Sequence, residues 1–96
     1  MSWPSEMEMV DQLCGGDLPL PVICSFFRDD AHARQVLGHY ISRGVVVFLG
    51  RDGELAIWTS LEITRDPVPL NGRADVRVSL TSKGAKAFED GTWSDI

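Results

Sequence analysis

Met9, Val10, Leu13 and Cys14 recur at the spacing of one helical stripe, and Ser5 precedes Glu8 by the three residues of a capping box. In such a box the serine hydroxyl accepts a free backbone N–H of the first turn and the glutamate takes another in return. A helix is therefore predicted over residues 5–14, with Gly15-Gly16 as its left-handed exit. Leu18-Pro19-Leu20-Pro21 begins extended, because a residue before proline avoids the helical region, while Pro21 suits the first turn of a helix. Val22-Ile23-Cys24-Ser25-Phe26-Phe27 then reads as a short helix with no polar face, hence one enclosed by other elements. A buried strand is the alternative for so short an apolar run.

Arg28-Asp29-Asp30 is a turn whose carboxylates suit the positive end of the next helix. That helix has the clearest period in the chain. Ala33, Val36, Leu37, Tyr40 and Ile41 share one face, Arg34, Gln35, Gly38, His39 and Ser42 share the other, and Gly44 ends it. Residues 45–49 are β-branched and aromatic, and Arg51-Asp52-Gly53-Glu54 supplies an Asp-Gly hairpin turn. Leu55, Ile57, Leu61 and Ile63 alternate with polar or small residues, which predicts a long return strand ending at the loop Asp66-Pro67-Val68-Pro69-Leu70-Asn71-Gly72. A further strand turns Val76, Val78 and Leu80 inward and Arg77 and Ser79 outward. Thr81 caps a last helix carrying Ala85 and Phe88, which Gly91 ends. Residues 1–4 and 92–96 are expected to be flexible tails.

Two stretches carry a resemblance. In Asp30-Ala31-His32-Ala33-Arg34-Gln35-Val36-Leu37-Gly38-His39-Tyr40-Ile41-Ser42-Arg43-Gly44-Val45 the apolar spacing before the glycine resembles the recognition helix and first wing strand of MarR-like, ArsR-like and PadR-like regulators. Val76-Arg77-Val78-Ser79-Leu80-Thr81-Ser82-Lys83-Gly84 looks like the strand and Leu-Thr-x-Lys-Gly helix start that close the wing in several of those families. The resemblance implies a single α+β domain over residues 1–96. It would be a winged helix-turn-helix with three N-terminal helices, an antiparallel β-hairpin wing and a closing C-terminal helix. The stretch between the wing's first strand and Leu80-Thr81 is longer than the resemblance implies, and is expected to hold an extra or lengthened strand.

A recognition helix here would turn Arg34, Gln35 and His39, with His32 and Ser42, toward a major groove, and Arg51 at the hairpin tip would reach phosphate. Arginine can bind the O6/N7 edge of guanine through two hydrogen bonds, and glutamine can do the same at adenine. An ordinary solvated helix face is the competing reading. Asp29 and Asp30 at the helix start weigh against phosphate, as do the acids Glu54, Glu62, Asp66 and Asp75 interleaved with Arg51, Arg65, Arg73 and Arg77.

Composition changes this picture in one respect. A formal charge of −5 argues against a bulk nucleic-acid binder, but residues 1–17 hold four acids and no base, while residues 18–58 are neutral. The acidity is thus remote from the proposed reading helix. With 96 residues, 44% of them hydrophobic, the chain has material for one core. Cys14 and Cys24 form no CxxC pair and are expected reduced and buried in an intracellular, cytoplasmic protein. The N-terminus carries neither the basic nor the apolar region of a signal peptide, and residues 45–49 are too short to span a bilayer, so no membrane role is expected.

His32 and His39 stand two helical turns apart, roughly 10 Å, too far to share one metal ion. No Gly-rich phosphate loop, GxSxG or HExxH occurs, so no metal, cofactor or catalytic site is expected. Two functions remain. One is a transcriptional regulator reading duplex DNA with the third helix, with a homodimer as the usual two-fold arrangement. The other is a protein-binding module or adaptor whose acidic N-terminal helix and enlarged sheet form the contact. Trp58 is expected in the core, and Trp93 in the tail as the contact for a partner.

Overall fold

A computed structural model describes residues 4–96. Its elements run α1 (Pro4–Leu13), β1 (Leu18–Pro19), α2 (Leu20–Cys24), α3 (Asp30–Ser42), β2 (Val46–Gly50), β3 (Gly53–Glu54), α4 (Ile57–Arg65), a 3-10 turn at Leu70–Gly72, β4 (Arg77–Leu80), α5 (Ser82–Glu89) and a 3-10 turn at Trp93–Asp95. This is an α+β architecture whose four-stranded antiparallel sheet has the order β1-β4-β2-β3. The expectation for residues 1–3, Trp3 included, lies outside the described residues, and so does the Ser5 side chain of the capping box.

The apolar face of α3 goes where its period sends it. Ala33, Leu37, Tyr40 and Ile41 are buried with Met9, Val10 and Leu13 of α1, Leu20 and Ile23 of α2, and Val46 and Phe48 of β2. Gly44, at φ 76, reverses the chain after α3, a left-handed turn that glycine makes without strain. The extended Leu18-Pro19 pairs with Val78 and Arg77 of β4, so β1 ties the front of the chain to the back of the sheet. Val46 to Leu49 pair with Leu80 to Arg77, which makes β2 and β4 the central ladder.

The junction Leu80-Thr81-Ser82-Lys83-Gly84 joins α5 to the α3–β2 turn. The Thr81 hydroxyl accepts from the Gly84 N–H at 3.0 Å and donates to the Gly44 carbonyl at 2.6 Å, while the Lys83 ammonium donates to the Arg43 carbonyl at 3.0 Å. Gly84 is buried because the start of α5 lies directly on the backbone of Val45, in the turn between α3 and β2. A Cβ there would stand 2.1 Å from the Val45 carbonyl oxygen.

Three expectations are corrected. The long return strand is a two-residue strand followed by a helix, since only Glu54 and Gly53 pair with Leu49 and Gly50. Leu55 folds back on Gly50, where a Cβ would sit 2.9 Å from its Cδ2, and its N–H donates to the Phe48 carbonyl at 2.9 Å. Ladder pairing ends there, and Ile57–Arg65 coils into α4. Second, the tryptophans trade places. Trp58 is 71% exposed on α4, whereas Trp93 is 3% exposed, its indole N–H donating to the Tyr40 hydroxyl at 3.3 Å with ring centroids 4.9 Å apart. Third, Cys14 is exposed beyond the end of α1, and Cys24 is half-buried; both are free thiols. Among the described residues no helix is long and apolar enough to cross a membrane.

Candidate functional site

α4 packs against the outward side of α3, and a shallow groove of about 470 Å³ runs between them. Four of the six residues singled out as DNA contacts line it, namely Arg34, Gln35, His39 and Ser42, and Leu61 and Arg65 of α4 face them. His32 and Arg51 are elsewhere. His32 stands on edge against Phe27, centroids 5.4 Å apart, and its Nδ1 accepts from the Arg28 N–H at 3.3 Å. Arg51 is exposed at the β2–β3 turn.

Arg34 is the centre of the arrangement. One guanidinium nitrogen donates to the Thr64 carbonyl at 3.0 Å and to the Asp66 carbonyl, a second donates to the Val68 carbonyl at 2.7 Å, and Nε donates to the Asp30 carboxylate one turn earlier. The last carbonyls of a helix have no partner within it, and a cation beside them also opposes the negative end of the helix dipole. Arg34 supplies both from a neighbouring helix. Asp30 extends the clamp by accepting the Leu70 N–H at 3.0 Å, and Asp66 closes it by accepting the Val68 N–H at 2.8 Å and pairing with Arg73 at 3.1 Å.

The charges at the start of α3 follow from the same contacts. Asp29 caps the helix by accepting the His32 N–H at 2.8 Å, which holds its carboxyl below the ordinary value. Asp30 is held low first by Arg34 and then by the Leu70 N–H. Burial, reinforced by the Asp30 charge, pushes the Cys24 thiol up to about 11, so it stays protonated and poorly nucleophilic at neutral pH.

Toward the other end of the groove, His39 Nε2 lies 2.7 Å from the Ile96 main-chain oxygen, and the Ser42 hydroxyl donates to the His39 carbonyl at 2.8 Å. Gly38 lines the floor, and a Cβ on it would meet the Thr64 hydroxyl at an ordinary 3.7 Å.

The sequence reading put Leu61 on a strand and Arg65 among the acid-interleaved arginines, and it did not single out Thr64, so the helical wall they form was missed. The available signal was the four-residue step from Ile57 to Leu61 across Thr59, which breaks strand alternation and fits one helical face. α4 is also amphipathic in the unusual sense. Ser60 is 0% exposed with no hydrogen-bond partner for its hydroxyl among the described residues, and Thr64 is buried, whereas Ile57 is 55% and Trp58 71% exposed. Comparison with protein-family models, with curated proteins and with solved structures gives no match for this chain.

Proposed function

We propose that the chain is a winged-helix module that binds protein rather than reading duplex DNA, through the face that α4 builds on the outer side of α3. The order of helices and strands, with β1, β4 and β2 adjacent in the sheet, supports the winged-helix reading, with β3, α4 and the following loop as an insertion in the wing. The observation that carries the functional reading is the position of α4. A major groove about 12 Å wide admits one helix, itself 10–12 Å across with side chains. A second helix packed beside α3 obstructs that entry, and Arg34, the strongest base-reading candidate, is committed to the carbonyls of Thr64, Asp66 and Val68. What faces solvent instead is Ile57 and Trp58, and large exposed aromatics are the usual anchors of protein contacts.

A photoreactive benzoylphenylalanine at Glu62, compared with one at Asp11 on α1, tests the reading in cells that make the full chain. Protein adducts from position 62 that disappear with Trp58→Ala are expected. Nucleic-acid adducts from position 62, or equal protein adducts from both positions, would overturn it.

A further inference from the structure

Trp58, Leu61, Glu62 and Arg65 stand at i, i+3, i+4 and i+7 on α4, so they form one stripe along it. The stripe has an aromatic at one end and a cation at the other. Trp58 is the most exposed large apolar side chain described, and Arg65, also exposed, makes no ion pair among the described residues. A surface of this kind is complementary to itself. When two copies of α4 lie antiparallel about a two-fold axis beside Leu61 and Glu62, Trp58 of each copy comes opposite Arg65 of the other. A cation over an indole face is attractive, and the two-fold repeats the contact. The groove is at the right end as well, since Arg65 forms part of its wall and Gly38, with no side chain, keeps its floor open.

We infer that α4 is a self-association surface, on which a second copy of this chain docks antiparallel with its Trp58 against Arg65 and the mouth of the α3–α4 groove. This rests on the reading of α4 as a docking face and names its occupant. Charge permits it despite the net −5, because Glu62 and Arg65 balance locally and four of the acids lie in residues 1–17. α1 packs on β4, whereas α4 packs on α3 and β2. α4 has nine residues, roughly 14 Å of helix, so the contact belongs to the small interfaces that bury less than about 1,200 Å² and bind weakly. The dimer is therefore concentration-dependent, in the micromolar range.

Sedimentation velocity of the full chain from about 5 to 500 µM spans that range. The weight-average coefficient should rise toward the dimer, and Trp58→Ala and Arg65→Glu should each move the midpoint at least about tenfold higher in concentration. Both side chains are exposed, so thermal unfolding by circular dichroism should show that the variants keep the fold. Glu62→Gln should strengthen association by removing the two like charges nearest the axis. A monomer throughout the range, or a dimer indifferent to Trp58→Ala and Arg65→Glu, overturns the proposal. A monomer that still forms Trp58-dependent adducts with another protein from position 62 overturns self-association and leaves the docking face standing, whereas loss of those adducts as well removes both.

Discussion

The Arg34 guanidinium on α3 donates to the Thr64 carbonyl at 3.0 Å, so a side chain of one helix closes the C-terminal end of another thirty residues further along the chain. The same group reaches Asp66 and Val68, and its neighbour Asp30 takes the Leu70 N–H. α4 and the loop after it are thereby attached to the first half of α3. What looks in isolation like a base-reading arginine is the fastening of α4 and the loop after it.

Arg34→Ala should cost about 2–3 kcal/mol in urea unfolding, since it removes several charge-assisted hydrogen bonds and leaves carbonyls unpaired. Arg34→Lys should recover little of this, because an ammonium cannot spread its donors over three carbonyls as the planar fork does. Full recovery by lysine would show that only the charge matters.

Two glycines should respond in opposite directions. Gly84→Ala places a Cβ 2.1 Å from the backbone oxygen of Val45, so α5 must move off the α3–β2 turn, at a cost of about 3 kcal/mol. Gly38→Ala meets only the Thr64 hydroxyl at 3.7 Å and should stabilise α3 by about 0.5–1 kcal/mol through lower backbone entropy in the unfolded chain. Melting temperatures of the two variants give the comparison directly.

Ser60→Ala should be neutral or stabilising by up to about 1 kcal/mol. The hydroxyl is buried without a partner, and alanine is the better helix former. A loss above that size in chemical unfolding would mean that the hydroxyl is satisfied in solution.

Acid should weaken the fold through three aspartates. The Arg77 guanidinium lowers Asp17, the His32 N–H lowers Asp29, and Arg34 lowers Asp30. A carboxyl whose value is depressed by folding contributes stability that is present above its unfolded value, about 3.9, and is lost as pH falls through the folded one. Carboxyl NMR titration should place all three midpoints below that value, and Arg34→Ala should raise the Asp30 midpoint. An Asp30 midpoint unmoved by that substitution would break the link to Arg34.

Much of the framework was legible in the chain. The period of α3 separated its buried from its outward side, and Leu80-Thr81-Ser82-Lys83-Gly84 marked a junction whose threonine and lysine bond carbonyls of the α3–β2 turn and whose glycine lies against Val45. The segment from β3 through α4 was not legible in the same way. Leu55, Ile57, Leu61 and Ile63 suggest a strand, with Thr59 the one interruption of the alternation, whereas only Gly53 and Glu54 pair with β2 before residues 57–65 coil into α4. Once residues 57–65 are helical, Trp58 falls opposite Ser60 and points outward, while Trp93 finds Tyr40. Four of the six candidate side chains were gathered in one place, but what they meet there was set by a helix that periodicity had read as a strand.

The claim that α4 occupies the approach to α3 is tested most directly by titrating the intact protein into a fluorescent random-sequence DNA duplex at low salt. No salt-dependent rise in anisotropy is expected, for wild type or for Arg65→Ala. Binding that weakens steeply with added salt and falls further with Gln35→Ala would contradict it, because α3 would then be reading DNA with α4 in place.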